Sequence, residues 1–330
     1  MKIKSVERPA AAAIMFLLLG CNAENKSQSL VGVDEKYQIE SEASSRHEVT
    51  SGGQFAPLPR GNNLQDTVKE LRLRAQRGDA RAACQLAAEL DFCADAERRM
   101  SSLSRAIAVM KASPGDNPAK QRGLDELHNS IIESRQYCTA IYSSPQERIA
   151  NWRLAATRGH VPSMLHYASG AGFGRDDLLS TLDEMKTYRR IAPGLMERVA
   201  ATGNLDAHLM LGRAYAPNWS GPDDTPLFRQ SVQTKDAAKA LAHFLVARQL
   251  VDTEGEAVVH EARMVEIEIS TIKAGMSPAE ITEGEQKARE LRSSMRQAGE
   301  VRLPATGWNE REQYASKPSI DRCDQRAFLK

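Results

Sequence analysis

The chain has 330 residues and a formal net charge of +1, from 44 basic and 43 acidic side chains. A balance this near neutral leaves no basic surplus to neutralise phosphates, so the electrostatic footprint of a nucleic-acid binder is excluded. Aromatic residues make up 5% of the chain, and runs of Val, Ile, Thr and Tyr are almost absent. That composition predicts an all-α protein with small residues at its helix contacts, in one or two domains.

The first element is a leader. Lys2, Lys4 and Arg8 precede an apolar run over residues 10–19, and polar residues 22–26 end it. The run has signal-peptide length and is about half of the ~20 residues a spanning helix needs. With Glu7, the leader carries +2, so the remainder sits near −1. Leu18-Leu19-Gly20-Cys21 resembles the lipobox of bacterial lipoproteins. That resemblance implies cleavage after Gly20, residues 1–20 being the signal, and acyl chains such as palmitate on Cys21. Two or more chains make a stable anchor where one does not. In the same family an Asp after the Cys favours the inner membrane. Asn22 therefore implies the outer membrane, with the folded part facing the periplasm.

Residues 21–62 form the lipidated cysteine and a linker rich in Ser, Glu, Lys, Gly and Asn, with Gly52-Gly53, Pro57 and Pro59. Such a segment buries too little apolar surface to offset its ordering entropy. It reads as a leash spanning roughly 35 Å, the alternative being a docked strand near residues 37–39.

Residues 63–302 read as helices that repeat. Ala75-Gln76-Arg77-Gly78, Ala156-Thr157-Arg158-Gly159 and Ala200-Ala201-Thr202-Gly203 align on a glycine expected to close a helix in the left-handed region. Four residues later come Ala82, Ser163 and Ala207; eight later, Leu86, Tyr167 and Leu211; nine later, Ala87, Ala168 and Gly212; twelve later, Leu90, Ala171 and Tyr215. Offsets of four, eight and twelve share one helical face. Further helices are expected near residues 95–111, 120–142, 237–247, 256–273 and 278–297, the last a charged terminal cap. The first two of these would form a degenerate unit between Gly78 and Gly159, because helical repeats run at about 34–47 residues. Ser144-Pro145 and Ser277-Pro278 read as helix starts.

This pattern resembles the Sel1-like branch of tetratricopeptide-type repeats. The match is best over residues 200–215, with Leu211-Gly212 and Tyr215, and in Lys239-Ala240 with Phe244 and Asn151-Trp152 for second helices. The resemblance implies helix-turn-helix units stacked as a short α-solenoid that scaffolds other proteins. Residues 303–330 read as an irregular tail.

Beside Cys21, four cysteines remain, which allow three disulfide connectivities in an oxidising compartment. Cys93, placed in a loop after a helix, and Cys138, late in a later helix, are the favoured pair. Cys84, six residues after Gly78, reads as a buried apolar thiol, and a bond from Cys323 would fix the tail.

Chemistry is sparse. Gly170-Ala171-Gly172-Phe173-Gly174 lacks the preceding strand of a phosphate cradle and reads as an inter-helix loop. The seven histidines, and the acid pairs Asp176-Asp177, Asp223-Asp224 and Glu256 with Glu261, form no metal or catalytic signature. The expected protein is not an enzyme and takes no cofactor. It is a membrane-anchored scaffold that binds a protein or peptide of the cell envelope, through groove residues Arg81, Gln85, His166, His208 and Arg213. The alternative is an inhibitor or immunity lipoprotein that blocks a toxin or envelope hydrolase.

Overall fold

The computed structural model describes residues 57–59, 63–111, 118–174, 177–219, 226–254, 259–298 and 323. Among them are eleven helices and no strand. In chain order these are α1 (Leu64–Gln76), α2 (Ala80–Lys111), α3 (Pro118–Tyr137), α4 (Pro145–Thr157), α5 (Val161–Ser169), α6 (Leu182–Ala200), α7 (Leu205–Tyr215), α8 (Pro226–Ser231), α9 (Ala237–Glu254), α10 (Val259–Lys273) and α11 (Pro278–Ala298).

Helices begin where a short polar side chain meets the orphan amides of the first turn. Asn63 accepts from the Gln65 amide at 2.9 Å, Ser144 from Glu147 at 3.1 Å, Asn204 from Ala207 at 2.8 Å and Asp236 from Lys239 at 2.8 Å. Ser277 and Glu280 form a reciprocal capping box, at 3.3 and 2.7 Å. Each such cap contributes about 1 kcal/mol.

Three helices end alike. Gly78, Gly159 and Gly203 have φ of +95°, +86° and +83°. Their amides donate to Ala75, Ala156 and Ala200, at 2.9, 3.0 and 2.9 Å. At the first two, the next amide reaches five residues back, from Asp79 to Arg74 and from His160 to Ala155, which completes a Schellman closure. Seven residues before each glycine a large side chain is buried: Leu71, Trp152, Met196. Six before, a charged residue pairs with a later helix: Arg72 with Glu147 (2.8 Å), Arg153 with Glu184 (2.9 Å), Glu197 with Lys239 (2.7 Å).

Along α1, α2, α4, α5, α6, α7, α9 and α11 each helix packs on the next. α3 lies on α2, α8 against α5, α6 and α7, and α10 on α9. The small residues four after each glycine (Ala82, Ser163, Ala207) are fully enclosed, as are Leu86, Tyr167 and Leu211. One apolar core runs from Leu58 to Ala240 and includes Cys323; a second gathers Leu205, Leu241, Phe244, Val251 and Val265. Gly212 lets α7 approach α9 so closely that a Cβ there would meet the Phe244 ring at 2.6 Å.

Several expectations are corrected. α2 is one helix of 32 residues, so residues 95–111 do not start a separate unit. The reason is plain in the sequence: no Gly or Pro interrupts residues 80–111. Cys93 therefore lies inside α2 and not in a loop. Cys138 follows the end of α3, which stops at Tyr137. Ala171 lies outside α5, because Gly170 ends that helix with φ of +81°. Cys84 is buried, yet it is no free thiol: it is bonded to Cys323, and Cys93 is bonded to Cys138. Leu58, placed in the linker on composition, is only 4% exposed and belongs to the core. Cys21, the linker other than residues 57–59 and the tail other than Cys323 lie outside the described residues. Among the described residues no helix is long and apolar enough to cross a membrane.

Candidate functional site

The five groove candidates lie on the helices that follow the glycines: Arg81 and Gln85 on α2, His166 on α5, His208 and Arg213 on α7. The structure does not gather them on one open face. Arg81, Gln85, His166 and His208 are buried, and Arg213 is partly so. The offsets that carry them, three to ten after the glycine, turn toward neighbouring helices as much as outward, and each side chain is engaged inside.

Gln85 donates to the Pro59 carbonyl at 3.1 Å. Arg213 is paired with buried Glu268, through Nε at 2.9 Å and a second arm at 2.8 Å, and lies over the Trp219 ring. Burial pushes the Glu268 carboxyl up, against the pull of Arg213.

His208 forms a chain that sequence reasoning missed. Its Nε2 lies 3.0 Å from the Ala200 carbonyl and its Nδ1 3.0 Å from Nδ1 of His243. A carbonyl only accepts, so Nε2 of His208 carries the proton. In the neutral ring its Nδ1 accepts from Nδ1–H of His243. Burial lowers His208 to about 4. It holds His243 well below its ordinary value, with further push from His208 and Lys239.

His166 belongs to the densest polar cluster. Its ring lies 4.1 Å from that of Trp152, and its Nε2 is 3.9 Å from Asp91. Asp91 accepts from Trp152 Nε1 at 2.6 Å and from Arg148 Nε at 2.9 Å. The other arm of Arg148 donates to Asp177 at 2.7 Å. Burial pushes the Asp91 carboxyl up to about 6, while Trp152 and then Arg148 pull it back. These residues tie α2, α4, α5 and the loop before α6 together. Of them sequence reasoning singled out His166, Asp177 within an acid pair, and Trp152 only as part of a repeat. The indole of Trp152 was the available signal, since a buried Trp N–H requires an acceptor.

The Gly-rich loop joins α5 to α6, with Phe173 packed among Tyr167 and Tyr188 at centroid distances of 6.2 and 4.9 Å. No group of three or more His, Cys, Asp or Glu side chains able to hold a metal ion occurs among the described residues.

The open surface lies elsewhere. Tyr142, two residues before the cap of α4, is 87% exposed; Leu179, two before Thr181 at the start of α6, is 84% exposed, and Leu182 is 54% exposed. Leu179, Leu182 and Gln146 line a surface depression with Asp183, Lys186 and Arg189. Gln146 binds the Ser180 carbonyl, and Arg72 reaches the Tyr142 carbonyl. The apolar side chains therefore stand on a braced backbone. No protein-family model, curated protein or solved structure matches the chain.

Proposed function

We propose that this chain is a membrane-tethered adaptor whose helical repeats hold another protein of the cell envelope. In this reading Cys21 carries lipid at the outer membrane, the linker gives reach into the periplasm, and the helices form a short Sel1-like solenoid. The repeat reading is supported by the three left-handed glycine closures and by the ion pairs at a common offset before them. Stacked helix pairs of this kind make extended binding surfaces.

The observation that carries the binding role is the exposure of Leu179 and Leu182 on the depression at the start of α6, with Tyr142 exposed two residues before the cap of α4. Leu179 and Leu182, gathered on one depression, form an apolar patch of the kind that marks contact sites. This surface replaces Arg81, Gln85, His166, His208 and Arg213 as the place to test. Crosslinking in intact cells, with the captured protein identified by mass, gives the partner. Tyr142→Asp with Leu179→Asp should abolish that capture and leave the helical content intact. Capture that persists in this variant removes the surface from consideration. A hydrolase as the dominant captured protein assigns the chain the inhibitor role instead.

A further inference from the structure

Three residues ahead of the first helix show how an extended peptide lies on this fold. Pro57, at the distal end of the segment, gives its carbonyl to Arg74 in the last turn of α1, at 2.9 Å. Asn63, six residues on, caps the first turn of the same helix. Pro59 gives its carbonyl to Gln85 of α2 at 3.1 Å. Between the two, Leu58 is buried in the apolar core. Carbonyls of alternate residues are thus held by an arginine and a glutamine, with the intervening leucine in an apolar seat. This is how extended, proline-rich peptides are read by other domains.

The fit is incomplete in one respect. The Gln85 side chain is buried, and its Oε1 has no hydrogen-bond partner. A glutamine amide facing a peptide backbone can donate to a carbonyl and accept from an N–H. Pro59 supplies the carbonyl but has no N–H to offer. The chain's own segment therefore leaves the seat's acceptor unmet.

We propose that Pro57-Leu58-Pro59 is a weak intramolecular ligand covering a peptide seat on α1 and α2, and that the seat's partner is an extended segment with leucine followed by a residue other than proline. The proposal deepens the adaptor reading and rests on it, but on residues other than Tyr142, Leu179 and Leu182.

The test uses fluorescent peptides spanning residues 54–61, one with the natural sequence and one with Pro59→Ala. They are titrated by anisotropy against the mature chain and against its Leu58→Ser variant. Both peptides should bind the Leu58→Ser chain at least about tenfold more tightly than the unaltered chain, whose seat is filled. The Pro59→Ala peptide should bind at least about fivefold more tightly than the natural one, because an unmet buried acceptor is satisfied. Gln85→Met in the Leu58→Ser chain should erase the difference between peptides. Absence of binding to a helical Leu58→Ser chain overturns the proposal, as do equal affinities for the two peptides. If Leu58→Ser fails to fold, amide exchange of the unaltered chain decides. Excess Pro59→Ala peptide should accelerate exchange at Leu58, and an unchanged rate refutes the displacement. Partner capture through Tyr142 and Leu179 is read separately, so either result can fail alone.

Discussion

At the scale of single residues, the pair His208 and His243 makes the fold acid-sensitive in a defined window. The folded pKa of His208 is lowered to about 4 from the ordinary 6.5. Below pH 6.5 the unfolded chain takes up protons that the folded chain refuses, so stability falls as pH drops from 6.5 toward 4. The shift corresponds to about 3 kcal/mol. Asp91 acts in the opposite sense over the same range, because its raised carboxyl is protonated first in the folded state. The two are separated by comparison. Thermal melts between pH 7.5 and 4.5 should show a shallower loss for His208→Gln with His243→Leu than for the unaltered chain, and parallel curves would remove the pair from the account. A second prediction concerns glycines. Gly212→Ala drives a methyl into the Phe244 ring and should cost about 1–3 kcal/mol. Gly123, inside α3 with nothing within 4 Å of its missing Cβ, should gain about 1 kcal/mol on the same change. Denaturant midpoints of the two variants on either side of the parent value are the expected result.

At the scale of elements, α3 has the least support from its own contacts, for it packs chiefly on α2. What fixes it is the Cys93–Cys138 bond, which closes 45 residues, and the hydroxyl of Tyr137 on buried Glu89 at 3.0 Å. Closing a loop of that size stabilises by about 4 kcal/mol in the chain-entropy account. Cys93→Ala with Cys138→Ala should therefore raise amide exchange across α3 while α5 and α7 keep their protection; uniform loss across all three would show that α3 is integral to the core. The starts and stops of helices were legible wherever a residue has a dedicated backbone role. Gly78, Gly159, Gly203, Ser144 and Ser277 all occupy the positions the sequence suggests, since left-handed closure and side-chain capping depend on local chemistry. The length of α2 was not legible, because a repeat expectation was laid over a stretch without breakers. The polar engagements of His166, His208 and Arg213 were not legible either. Their partners Asp91, His243 and Glu268 lie 35 to 75 residues away, and helical periodicity carries no information on which side chains of separate helices meet.

At the scale of the whole molecule, the leader predicts a covalent address. Labelling cells with an alkyne analogue of palmitate should mark the mature chain, and Cys21→Ala should abolish both the label and recovery with membranes; a label that survives the change would refute lipidation at that residue. With Cys21 acylated and the other four cysteines bonded, the denatured but unreduced protein should also present no titratable thiol. The bond between Cys84 and Cys323 has a topological consequence. It joins positions 239 residues apart and so converts most of the polypeptide into a covalent ring. A protease that cuts once between the two cysteines opens the ring without releasing anything. The nicked molecule should migrate as one species on a denaturing gel and fall into two fragments only when a reductant is added. Under the proposed lipidation of Cys21, a single cut of that kind leaves the helical body attached to its anchor.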